Sequence, residues 1–60
     1  MRKRICIQHP TKGTTCGAYE ERDGMVHVHF DGRKKSTQIG NLRAENLAVT
    51  ILREMVASAA

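Results

Sequence analysis

The stretch DGMVHVHFDG, residues 23–32, decides the architecture. Between two Asp-Gly pairs, Val26, Val28 and Phe30 alternate with Met25, His27 and His29. Successive side chains on a strand point to opposite faces, so this pattern reads as a half-covered strand with an apolar side and a histidine side. Asp-Gly between alternating runs is a strong hairpin signal, because the turn needs backbone angles that aspartate and glycine tolerate. A strand is therefore expected at 25–30, with a tight turn at each end.

Toward the N-terminus, a two-residue turn at Asp23-Gly24 sets Val26 opposite Glu21, Val28 opposite Tyr19 and Phe30 opposite Gly17. Residues 16, 18, 20 and 22 then share the histidine face, with Glu20 across from His27 and Ala18 across from His29. The breaker cluster His9-Pro10-Thr11-Lys12-Gly13 separates a further strand, RICIQ, from TTCGAYEE. Toward the C-terminus two registers compete. A two-residue turn at Asp31-Gly32 puts Lys35 beside Val28. A four-residue loop over 31–34 puts Thr37 beside Val28 and Ile39 beside Val26. Buried faces fix register, so the four-residue loop is expected. Ser36 and Gln38 then join the histidine face.

Asn41 is a good helix N-cap, and no glycine or proline interrupts the chain from Leu42 to Ser58. Arg43, Asn46, Thr50, Arg53 and Glu54 fall on one narrow side of that helix. The apolar residues spread over about 220°, roughly twice the stripe that an ordinary surface helix presents. A helix lodged in a groove of the sheet is one explanation. The expected one is a homodimer made helix to helix through Leu42, Val49, Leu52 and Val56.

The fold class is thus α+β. A small antiparallel sheet of three to four strands, in the order β-β-β-β-α, is covered on one face by a C-terminal helix. Residues 1–60 form a single domain, with strands at about 3–8, 14–21, 25–30 and 35–39 and a helix at about 42–58. The helix covers Ile5, Ile7, Val26, Val28, Phe30 and Ile39 and leaves the histidine face bare.

A chain of 60 residues buries only about 60% of its unfolded surface, so it is marginal without a staple, a metal or a partner. Net charge is +4 and the isoelectric point is about 9.6, which favours acidic partners such as nucleic acid. MRKR is followed by too short an apolar run for a signal peptide, and no stretch approaches a membrane span. A cytoplasmic protein with no membrane partner is expected. Cys6 and Cys16 are then reduced thiols, and an exported chain would be needed for a disulfide between adjacent strands. Cys6, Cys16, His27 and His29 are the candidate metal ligands. His27 and His29 are about 7 Å apart along their strand, and no Cys-x-x-Cys or His-x-x-x-His spacing occurs, so no metal and no cofactor is expected. No enzyme is expected either. Glu20 across from His27 reads as a cross-strand pair, with no nucleophile arrangement or phosphate loop beside it.

The basic residues carry more information. Arg2-Lys3-Arg4 opens the first strand, and Arg33-Lys34-Lys35 fills the tip of the last hairpin. In a simple meander these triplets lie at opposite ends of the sheet and bracket the bare face. Arg22, His27, His29, Ser36 and Gln38 lie between them, with side chains suited to base edges and phosphates. Tyr19 and Phe30, the aromatic side chains, are both assigned to the covered face, which argues against binders that stack single-stranded bases.

GAYEERDGMVHVHFDGRKKSTQIGNLRAENLAVTI, residues 17–51, resembles the three-stranded-sheet-plus-helix DNA-binding domains. These are the arm-binding domains of tyrosine recombinases and the ethylene-response-factor type of plant regulators. Gly17, Tyr19, Gly24, Val26, Val28, Gly32, Arg33, Lys34, Gly40 and Ala48 fall in step with their pattern. The resemblance implies an open sheet face in the major groove, using Arg22, His27, His29, Arg33, Lys34 and Gln38. With Arg2, Lys3, Arg4 and Lys35 added as phosphate contacts, the expected function is DNA binding, of a kind suited to a phage or mobile-element regulator. Residues 9–39 also resemble a small Src-homology-3-like barrel. That layout implies a protein-binding module or inhibitor acting on an acidic protein partner.

Overall fold

The computed structural model describes residues 2–58. Its elements are β1 (Lys3–His9), β2 (Gly13–Arg22), β3 (Met25–Phe30), β4 (Arg33–Gln38) and α1 (Ala44–Ser58). The strands form one open antiparallel sheet in the order β1-β2-β3-β4. β1 and β4 are its two edges, so the strands do not close into the barrel of the alternative layout. The α+β architecture is as expected.

Both Asp-Gly turns take left-handed backbone angles at two consecutive residues: φ is 54° and 75° at Asp23 and Gly24, and 52° and 74° at Asp31 and Gly32. That is the signature of a two-residue type I′ turn, whose twist matches that of the flanking strands. At the first turn it gives the expected register, with Val26 opposite Glu21 and Val28 opposite Tyr19. At the second it overrules the four-residue loop. Lys35 pairs with Val28 and Thr37 with Val26, and β4 begins at Arg33. Burial has little hold on this edge strand, because Arg-Lys-Lys-Ser-Thr-Gln has no large apolar side chain to place. Turn geometry decides instead. Lys35 is accommodated because its ammonium reaches the Glu54 carboxylate on α1, at 3.0 Å. The two registers differ by two residues, so Ser36 and Gln38 keep their side of the sheet.

One face carries the core. Ile5, Ile7, Tyr19, Val26 and Val28 pack against Ala48, Ile51, Leu52, Met55 and Val56 of α1. Val26, Val28, Leu52 and Val56 are completely enclosed. Leu52 sits over Gly17: a β-carbon there would come 3.0 Å from Leu Cδ1 and 2.8 Å from the carbonyl oxygen of His29. The missing side chain on β2 is what lets the helix lie this close.

The helix begins two residues later than expected. Asn41 is not its cap. The chain must first leave the edge of the sheet through a turn in which Gly40 has φ 62° and Leu42 N–H donates to Ile39 C=O at 3.1 Å. The Leu47 N–H to Arg43 C=O bond, at 3.0 Å, marks Arg43 as the residue at the cap. The broad apolar arc of α1 is also resolved within one chain. Leu52 and Val56 are core, Leu47 and Val49 are half-buried against it, and the exposed Leu42 (60%) precedes the helix. Leu52 and Val56 are fully enclosed by the sheet of the same chain.

Candidate nucleic-acid interface

The opposite face of the sheet is uncovered, and pairing register defines it in cross-strand rows. One row runs Arg4–Ala18–His29–Lys34 across all four strands. The next holds Glu20, His27 and Ser36, and the one beyond holds Arg22, Met25 and Gln38. His27 and His29 lie away from the helix, on the open side, as the alternation requires.

The rows bring the two basic triplets together rather than to opposite ends. β2 is ten residues long; β1 pairs with 13–19, whereas β3 pairs with 18–22. The offset slides the start of β1 level with the end of β3 and with the Asp31-Gly32 turn. Arg2, Arg4, Arg33 and Lys34 consequently line one shallow concavity with His29 and Cys16. Lys3 and Lys35 do not join them. They share a row with Tyr19 and Val28, on the helix side, where Lys35 is tied to Glu54.

Polar contacts fix the middle of the face. His27 Nδ1 and Ser36 Oγ are hydrogen-bonded across β3 and β4 at 2.6 Å. Arg22 donates to Glu20 Oε1 at 3.3 Å, and His29 Nε2 lies 3.8 Å from the same oxygen. That Nε2 atom is buried and has no hydrogen-bond partner among the described residues. The Glu20 side chain is only 17% exposed. Desolvation pushes its carboxyl up, but Arg22, Arg2 and His29 outweigh this and hold it below the ordinary carboxylate range. Glu20 therefore stays ionised among the bases of this face.

Cys6 and Cys16 depart most from expectation. They are direct cross-strand partners with a Cα–Cα distance of 4.0 Å, and they form a disulfide. They are neither reduced thiols nor metal ligands. A separation of ten residues across the His9–Gly13 turn carried this signal, since that turn sets the two cysteines opposite each other. No group of three or more His, Cys, Asp or Glu side chains suited to a metal ion occurs among the described residues. His27 is committed to Ser36 and His29 faces Glu20. No helix among the described residues is long and apolar enough to cross a membrane.

No protein-family model, curated protein or solved structure matches this chain.

Proposed function

We propose that this chain binds duplex DNA through its open sheet face. The observation that carries the reading is the convergence of Arg2, Arg4, Arg33 and Lys34 around His29 on one concave surface. Arg2, Arg4 and Lys34 on the open face, with Arg33 reaching the same rim from the Phe30 row on the helix side, suit a run of backbone phosphates, whose condensed counterions are released on contact. In the proposed complex these residues hold phosphates. Arg22, His27 and Gln38 lie nearest the base edges, with Ser36 orienting His27. The layout resemblance to sheet-plus-helix DNA-binding domains points the same way, and a role as a phage or mobile-element regulator is part of the proposal. Tyr19 is buried and Phe30 packs against the core, so neither offers a stacking platform for single strands. The binding unit is taken as one chain, because Leu42 is the one large apolar side chain exposed among the described residues.

A mobility-shift titration with duplex DNA over a salt series tests this reading. Affinity should fall steeply with salt. Arg4→Gln and Lys34→Gln should each reduce the slope of log affinity against log salt by about 1. No shift at low salt, or a slope untouched by either substitution, refutes the reading. Binding of an acidic protein with no binding of duplex would move the same face to the protein-partner class.

A further inference from the structure

The disulfide lies on the open face, outside the hydrophobic core. β1 is also held by Ile5 and Ile7, which are buried in that core. The β1–β2 turn is closed independently: His9 Nδ1 accepts from the backbone N–H groups of Thr11 and Lys12, each at 3.2 Å. The two sulfurs also differ in setting. Cys6 is exposed on an edge strand, while Cys16 is half-buried on an inner strand and lines the basic concavity.

We propose that Cys6–Cys16 is a thiol–disulfide exchange site, attacked at Cys6 by a low-molecular-weight thiol, with Cys16 as the leaving thiolate. Exchange requires the nucleophile to approach along the S–S axis from behind the sulfur it attacks. Behind Cys6 is the outer edge of β1, with no further strand beyond it. Cys16 is half-buried on an inner strand, with β3 on its far side. The leaving group matters equally, since a thiol of lower pKa leaves faster. Around Cys16, Arg2, Arg4, Arg33 and Lys34 face a single carboxylate, Asp31, among the described residues lining the concavity. Such surroundings favour the thiolate.

In the first step the thiolate RS⁻ forms a bond to Cys6 Sγ. The Cys6–Cys16 bond breaks and its electron pair stays on Cys16 Sγ. A second RS⁻ attacks the R-group sulfur of the mixed disulfide, giving RSSR and the Cys6 thiolate. Two thiols are thereby oxidised, the protein disulfide is reduced by two electrons, and the thiol protons end on the cysteines or in solvent. The inference is independent of the DNA reading. It assigns a redox-linked modification site, S-thiolation at Cys6, whose occupancy follows the thiol poise of the surroundings.

The test uses the oxidised full-length chain and reduced glutathione, without denaturant. Early time points are quenched in acid, alkylated with iodoacetamide and digested with trypsin; Lys12 separates the two cysteines. Glutathione should appear on the Cys6 peptide and the alkyl group on the Cys16 peptide. Arg4→Gln and Lys34→Gln should each slow opening, because each removes a cation beside the leaving Cys16 sulfur. The circular dichroism of the reduced chain should match that of the oxidised chain. Glutathione equally or mainly on Cys16, opening rates unchanged in both variants, or loss of the fold on reduction would each overturn the proposal.

Discussion

Gly17→Ala isolates the closest contact between helix and sheet. The added methyl carbon would sit 2.8 Å from the His29 carbonyl oxygen, 3.0 Å from Leu52 Cδ1 and 3.6 Å from Phe30 Cβ. Carbon atoms in good contact lie about 3.5–4.0 Å apart, so Leu52 must retreat by roughly 0.5–1 Å. The His29 carbonyl belongs to the backbone of β3 and cannot swing aside as a side chain can. Overpacking of this kind costs about 1–3 kcal/mol. Replacing a strand glycine returns about 0.5–1 kcal/mol of backbone entropy. The net expectation is a loss of about 1–2 kcal/mol, or roughly 4–16 °C in Tm for a domain of this size. Thermal unfolding followed by circular dichroism reads it directly. A double-mutant cycle with Leu52→Val, which withdraws the δ-methyl group, should recover at least about 0.5 kcal/mol of that loss. A Gly17→Ala chain with wild-type Tm, or one equally destabilised in the Leu52→Val background, would refute the close docking of α1 on β2.

Lys35→Met should leave urea stability within about 1 kcal/mol of wild type, because the Lys35–Glu54 pair is more than half exposed at both ends; a larger loss would show that the pair holds β4 in register. Glu20 has a lowered folded-state pKa, so its contribution to stability is present above its ordinary value of 4.5 and is lost as pH falls through the folded value. Glu20→Gln should therefore destabilise the chain at neutral pH and flatten the decline of stability below about pH 4.5, and parallel acid limbs for the two proteins would rule out the Arg22–Glu20–His29 cluster as the cause. Under the DNA proposal, Lys34→Glu should weaken duplex binding most at low salt, with the two proteins converging as salt screens the difference; a salt-independent loss would point instead to a packing defect.

Much of the fold was legible because its signals are local. Asp23-Gly24 fixed the β2–β3 hairpin to the residue, and alternation in Met25–Phe30 separated the histidine face from the valine face. The breaker at His9–Gly13 placed β1. Glycine-free spacing from Leu42 onward announced a helix, though not its first residue, since Asn41 satisfies a capping rule that the departing turn made irrelevant. The β3–β4 register was misread for an equally physical reason. A rule based on burial has no force on a strand of charged and polar residues, where the turn alone sets the pairing.

The sequence by itself determined which side chains share a face, since parity along a strand is a property of the chain. It also determined the cationic character of the molecule and the identity of the covered side. Tertiary structure decided how far neighbouring strands slide past each other. That offset arises because β2 outruns β3 and lends its first half to β1. It sets Arg4 level with Lys34 and gathers Arg2, Arg4, Arg33 and Lys34 around His29. The width of the helix was likewise settled only in three dimensions: the sheet enclosed Leu52 and Val56 because Gly17 leaves room for close approach.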